Sequence, residues 1–137
     1  MKRSGFKRKK SHKKLGKSKT PRAKLISACD DMWSKLVKIR DSYCPWCTKK
    51  GKHRKSRSAH HIFSRRYMVT RHDLDNGIGL CGGCHMDAHQ YPEEFRDFMI
   101  WYMPDKYLEL KKLAQKGIKI TIPDLEETKE YLERYLS

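Results

Sequence analysis

Residues 81–89 read Cys81-Gly82-Gly83-Cys84-His85-Met86-Asp87-Ala88-His89, and an earlier stretch reads Cys44-Pro45-Trp46-Cys47. Each stretch spaces two cysteines as in a zinc knuckle. Taken alone, either Cys-x-x-Cys pair also fits a thioredoxin-like redox site. Two pairs separated by residues 48–80, each beside small or turn-forming residues, are better explained by four thiolates around one metal ion. The sequence therefore predicts a structural Zn²⁺ site, and Gly82 and Gly83 are interpreted as the permissive backbone of a tight knuckle.

Histidines lie around these cysteines. His60 and His61 precede the second knuckle, in a predicted strand over residues 59–63. A helix is predicted from Gly83 or Cys84 to Gln90, and on it His85 and His89 share a face because they are four residues apart. They can therefore bind one cation together. The remaining histidines, His12, His53 and His72, are predicted to be solvated.

His60-His61, then Asn76, then His85 and His89 resemble the HNH motif of the ββα-metal, or His-Me finger, endonucleases. The spacing is similar to that of colicin-type DNases, and the flanking cysteine pairs resemble those of zinc-braced HNH enzymes of phages and bacteria. The resemblance covers roughly residues 44–90. It implies a small ββα-metal finger with a metal-dependent endonuclease activity.

The resemblance also implies roles for individual residues. His61 would be the general base, and Asn76 would hydrogen-bond across the loop to keep His61 oriented. His60, His85 and His89 would hold one catalytic divalent ion, for which Mg²⁺, Mn²⁺, Ni²⁺ and Zn²⁺ all stay open. Neighbours in a regular strand point to opposite faces, so His60 and His61 reach one site only if the strand ends or twists there.

The net charge of +16 is concentrated in two blocks. Residues 1–24 contain twelve Lys or Arg and no acid, and residues 48–72 contain nine and no acid. Blocks of this kind match a polyanion such as the DNA backbone. Within the second block Arg65, Arg66 and Arg71 are predicted to contact phosphate, Arg65 foremost, with surface solubility as the alternative.

Three functions therefore compete. The first is a metal-dependent HNH endonuclease that nicks or cuts DNA. The second is a zinc-finger nucleic-acid-binding protein without catalysis, which has no need of His61, Asn76 and His89 at these intervals. The third is a structure-specific junction or flap resolvase on the same fold.

The predicted fold class is α+β, with the zinc-braced finger flanked by an N-terminal helix over residues 23–43 and by C-terminal helices. Residues 1–22 are predicted to be a disordered basic arm, and residues 23–137 a single domain with its motif core at 44–90 and a helical extension at 92–137. Cys29 lies in the apolar stripe of the N-terminal helix and is predicted to be a small buried hydrophobe. No membrane span or signal segment is predicted, which favours the cytoplasm of a bacterium or of a phage-infected cell.

Overall fold

The computed structural model describes residues 19–137, in which seven helices surround a two-stranded antiparallel sheet. The helices are α1 (Pro21–Arg40), α2 (Pro45–Lys49), α3 (Met68–Arg71), α4 (Gly82–Gln90), α5 (Pro92–Tyr102), α6 (Pro104–Gln115) and α7 (Ile122–Leu136), and the strands are β1 (Ser58–His61) and β2 (Gly77–Leu80). This mixture of helices and a small sheet agrees with the predicted α+β class.

The sheet forms from two strands of four residues each. Ser58 pairs with Leu80 and His61 with Gly77, and α4 follows β2 after a single residue. The connection from β1 to β2 contains α3 and a 3₁₀ turn at Leu74–Asn76. The strand that carries two histidines therefore lies beside the strand that leads into the second cysteine pair.

Helix α1 packs across β2, and two glycines permit the close approach. A Cβ atom at Gly77 would lie 2.6 Å from side-chain atoms of Trp33 and Val37. At Gly79 a Cβ would lie 2.7 Å from the backbone oxygen of Asp41. Both distances are too short for a Cβ atom. Glycine is therefore required at these two positions for close packing and not for an unusual backbone dihedral angle.

Two apolar clusters stabilise the fold. The first joins α1 to α7 and contains Cys29, Trp33, Val37 and Leu132. Cys29 is fully buried, as predicted. The second surrounds the four other cysteines and includes Trp46 of α2 with Phe95 and Phe98 of α5. Burial of aromatic rings against the cysteines fixes α5 beside the sheet.

Several element boundaries differ from the predictions. Helix α1 runs from Pro21 to Arg40, because Thr20 caps its first turn and Pro21 occupies the first helical position. The short helices α2 and α3 were not predicted. Gly82 and Gly83 have no positive φ, so their interpretation as conformationally special knuckle residues is wrong.

Most of the predicted basic arm, residues 1–18, lies outside the described residues. Within residues 19–137, no helix combines the length and the apolar character needed to cross a membrane.

Candidate metal centres and cleft

The four cysteines of the two pairs come together in a buried cluster. Their sulfur atoms all lie within 4.8 Å of one another, and the Sγ atom of Cys47 is 3.3 Å from that of Cys81 and 3.5 Å from that of Cys84. All five cysteines of the chain are free thiols. The cluster, Cys44, Cys47, Cys81 and Cys84, could hold a metal ion.

The first turns of two helices build this cluster. Cys44 caps α2 and accepts a hydrogen bond from the amide of Cys47, and Cys81 caps α4 and accepts one from the amide of Cys84. Burial alone would raise the pKa of Cys81, but the Cys84 amide and the neighbouring thiols lower it to about 7, whereas burial and contacts with the other sulfurs raise the pKa of Cys47 to about 11 and also raise that of Cys84. Amide donors around a buried sulfur favour the thiolate, which is the form that binds metal.

Three histidines form a second group. His60, on β1, meets His85 and His89, on α4, and one nitrogen of each ring lies within 4.8 Å of the other two. The Nε2 atoms of His85 and His89 are 3.0 Å apart. The Nδ1 atom of His85 is 2.7 Å from the hydroxyl oxygen of Ser58, which fixes the ring and leaves Nε2 directed at His89.

The environment favours the neutral imidazoles of His60 and His85. Burial, together with the neighbouring rings, lowers the pKa of His60 to about 4, and burial lowers the pKa of His85 as well. A neutral imidazole has a free lone pair, so the residues fit a cation-binding site of nitrogen ligands. His89 is exposed at the edge of this group, which leaves one side open.

His61 points away from this group. Its ring stacks on Trp33 of α1 with centroids 3.9 Å apart and planes at 8°, whereas the ring of His60 meets Phe95 of α5 and His85 of α4 edge-on. The two neighbours therefore use opposite faces of β1, as a regular strand requires. Both still line one cleft at the end of the strand.

The tautomer of His61 follows from its hydrogen bond. Nε2 is 2.9 Å from the backbone oxygen of Arg71, and because a carbonyl can only accept, Nε2 carries the hydrogen. Burial lowers the pKa of His61, although the carbonyl of Arg71 partly offsets the effect. The neutral ring therefore has its lone pair on Nδ1, where it could accept a proton.

Asn76 is fully buried and closes the loop that follows β1. Its side-chain oxygen accepts the amide of Phe63 at 2.8 Å, and its amide nitrogen donates to the carbonyls of Phe63 and Thr70. The hydrogen bonds across the loop that were predicted for Asn76 are present. None of these hydrogen bonds reaches the ring of His61. The orientation of that ring comes from Trp33 and from Arg71.

Asp30 of α1 anchors the segment whose carbonyl binds His61. Its carboxylate accepts two hydrogen bonds from the guanidinium of Arg71, at 2.8 and 2.7 Å, and a third contact from His72 at 2.8 Å. His72 is only 7% exposed, so the prediction that it is solvated is wrong. The reason is that α1 supplies a half-buried partner, Asp30, that lies 42 positions away in the sequence. His53 is exposed, as predicted, and stacks on Tyr43, while His12 lies outside the described residues.

The cleft has a volume of about 830 Å³ and contains the histidine group, His61 and Arg65. Arg65 and Arg66 are exposed, whereas the guanidinium of Arg71 is held by Asp30. That Arg71 contacts nucleic acid stays a prediction. Sequence reasoning missed Asp30, Trp33 and Ser58, and it also missed three further residues that line the cleft, Glu93, Arg96 and Tyr107. Of these only Ser58 carried a signal, since it lies two residues before His60 and hence on the same face of the strand.

Comparisons of the chain with protein-family models, with curated proteins and with solved structures found no match.

Proposed function

We propose that the chain is a metal-dependent endonuclease of the HNH type that hydrolyses DNA phosphodiester bonds. The observation that carries the proposal is a single cleft shared by a three-histidine group and by His61, whose hydrogen bond leaves Nδ1 able to accept a proton. A cation site and a general base in one cleft are the two groups that metal-assisted hydrolysis of a phosphodiester needs.

In this proposal His61 takes a proton from a water molecule through Nδ1, and the water oxygen attacks the phosphorus while the bond to the leaving 3′ oxygen breaks. The Arg71 carbonyl on Nε2 stabilises the imidazolium that forms, because it continues to accept a hydrogen bond from the charged ring. Stacking on Trp33 holds the ring plane throughout. Asn76 keeps the loop between β1 and α3 closed, so that the cleft retains its shape.

His60, His85 and His89 are the residues proposed to hold the catalytic ion. When bound there, a divalent cation would bind the phosphodiester and offset the charge that develops on the leaving oxygen. Ser58 assists by fixing the ring of His85. We assign Zn²⁺ to the four-cysteine cluster because four buried thiolates at knuckle spacing suit that ion.

Positive charge supports DNA as the substrate. Residues 42–72 contain no acidic residue, and Arg65 brings a guanidinium into the cleft itself. Arg65 is therefore proposed as the phosphate contact nearest the reaction, because its planar fork matches two phosphate oxygens. Arg66 is exposed and could contact the backbone beside it.

The test is cleavage of supercoiled plasmid by the wild-type protein and by His61→Ala, with Mg²⁺, Mn²⁺, Ni²⁺ or Zn²⁺ added separately. Loss of the general base should slow cleavage by roughly 10²- to 10⁴-fold. DNA binding and zinc content should stay at the wild-type level, because His61 holds neither. A reaction without added cation is the control for metal dependence. It is preferred to a strong chelator, because a chelator would also remove the metal ion from the cysteine cluster.

A wild-type protein that binds DNA but leaves plasmid uncut with every cation would favour the non-catalytic zinc-finger alternative. Cleavage by His61→Ala at the wild-type rate would instead show that another group is the base. Branched or flapped DNA in the same assay would identify a resolvase by its preference for those substrates.

A further inference from the structure

A cluster of aromatic rings lies exposed at the end of α5 opposite to the cleft. Trp101 is 61% exposed, Tyr102 is 47% exposed, and Tyr43 from the turn after α1 is 43% exposed. They line a groove of about 550 Å³ together with Lys49 and Arg40. Helix α5 begins at Pro92, in the wall of the cleft, and its 11 residues span roughly 15 Å. We call this groove the aromatic groove.

Packing underneath holds these rings in place. Tyr102 stacks on the buried Phe98 at 5.4 Å with planes at 16°, and Phe98 in turn stacks on Trp46 beside the cysteine cluster. The ammonium of Lys49 lies 4.1 Å from the ring centroid of Trp101. The rings are therefore presented on a rigid base, and exposure of a tryptophan and two tyrosines in one groove is unusual for a surface without a ligand.

The charge around the aromatic groove indicates what would cover it. The exposed Lys49 borders the rings, and the exposed Lys55 pairs with Tyr43 through its backbone. Arg40 also lines the groove, but its guanidinium is held by Asp41 and by the carbonyls of Leu74 and Gly77. The one acid in the groove, Asp41, is already bound by Arg40 at 2.9 Å and accepts the amide of Gly79. A second copy of this chain would bring like charge against like charge, whereas a polyanion with flat rings complements both features.

We propose that the aromatic groove binds an unpaired segment of nucleic acid, with a base stacked on Trp101 and its phosphate near Lys49. Stacking on aromatic side chains requires a base face that is free, which a paired duplex does not offer outside its ends. The inference rests on the proposed function only in taking nucleic acid as the ligand. The inference adds a substrate class to the proposed function, namely DNA with a single-stranded stretch beside the bond to be cut.

Binding is measured with a fluorescent oligothymidylate of about 12 nucleotides, within the range of single-strand site sizes, and with a duplex of the same length. No divalent cation is added, so cleavage plays no part. Trp101→Ala should weaken binding of the single strand roughly 5- to 150-fold, the loss expected for one stacked base, and leave duplex binding unchanged. Trp101→Leu keeps an apolar side chain without a ring and should lose nearly as much.

Tyr135→Ala is the matched control, because Tyr135 is 59% exposed on α7 and is absent from the aromatic groove. Its single-strand affinity should equal that of the wild type. Equal affinity of Trp101→Ala and wild type for the single strand would overturn the inference, as would a dimer in sedimentation equilibrium that Trp101→Ala dissolves. If the protein cuts no DNA but its single-strand binding still depends on Trp101, the proposed nuclease activity is wrong and the aromatic groove is still a nucleic-acid-binding site.

Discussion

At the scale of single residues, the candidate base depends on partners that its own motif does not contain. Trp33 fixes the plane of His61 and the carbonyl of Arg71 fixes its tautomer. Asp30 holds Arg71 and His72 from the same face of α1 on which Trp33 lies, three residues further along. One helix outside the histidine motif therefore determines the position and the protonation of the ring.

Asp30→Asn should lower the free energy of unfolding by about 2 kcal/mol at pH 7, between the values for exposed and buried ion pairs. Burial alone would raise the pKa of Asp30, but the hydrogen bonds from His72 and Arg71 lower it well below its usual range. The stabilisation is therefore complete above the unfolded pKa of about 4 and is lost as the pH falls below it toward the folded pKa.

Urea unfolding of the wild type and of Asp30→Asn at a series of pH values measures this difference. The two free energies should differ most above about pH 5 and converge in more acidic solution. A difference that is the same at every pH would mean that the charge of Asp30 contributes nothing and that the asparagine disturbs packing instead.

At the scale of elements, β2 is shaped by what packs on it. Gly79 lies where the backbone of Asp41 crosses the strand, whereas Gly82 begins α4 in open space, with nothing within 4 Å of the point that a Cβ atom would occupy. Glycine is therefore required for packing at Gly79, whereas at Gly82 a larger side chain would meet no other atom.

Gly79→Ala should cost about 1–3 kcal/mol of stability, because its methyl group would overlap backbone that cannot rotate away. Gly82→Ala is the matched control and should be neutral or slightly stabilising, since alanine favours a helix over glycine. Melting temperatures of the two variants decide the point. Equal effects of both substitutions would contradict the close approach of α1 to the sheet.

The cysteine cluster joins two further elements, because each pair caps a helix. Cys81→Ser should lower metal content and unfold much of residues 44–90, since a structural zinc ion supplies roughly 10 kcal/mol of folding free energy or more in small sites. Metal analysis and circular dichroism of the variant, compared with Cys29→Ala in the α1–α7 core, measure this. Cys29→Ala should keep its metal, because Cys29 belongs to the separate α1–α7 core. An unchanged spectrum and metal content in Cys81→Ser would exclude a structural metal.

At the scale of the whole molecule, positive charge is concentrated in the N-terminal residues and in residues 48–72. Residues 1–18 contain nine of the 32 Lys and Arg residues and no acid. Helix α1 is capped by Thr20, so a truncation that begins at Lys19 keeps this cap and every described helix and strand.

Deletion of residues 1–18 should weaken DNA binding and flatten its salt dependence, while plasmid cleavage at saturating protein persists. For every phosphate that the protein ceases to neutralise, the slope of log K against log salt should fall in magnitude by about 0.9 on duplex DNA. A binding titration over several salt concentrations gives the slope. If the truncated protein keeps the wild-type slope, its N-terminal residues bind something other than DNA.

The sequence by itself determined the spacing of the four cysteines, the pairing of His85 with His89 on one helix face, most of the helices and the two blocks of positive charge. These features follow from local periodicity and from composition. Only the tertiary structure decided the stacking of His61 on Trp33, the burial of His72 against Asp30 and the exposure of Trp101. The physical reason is that each depends on which distant element packs beside the residue, and the local sequence does not specify that neighbour.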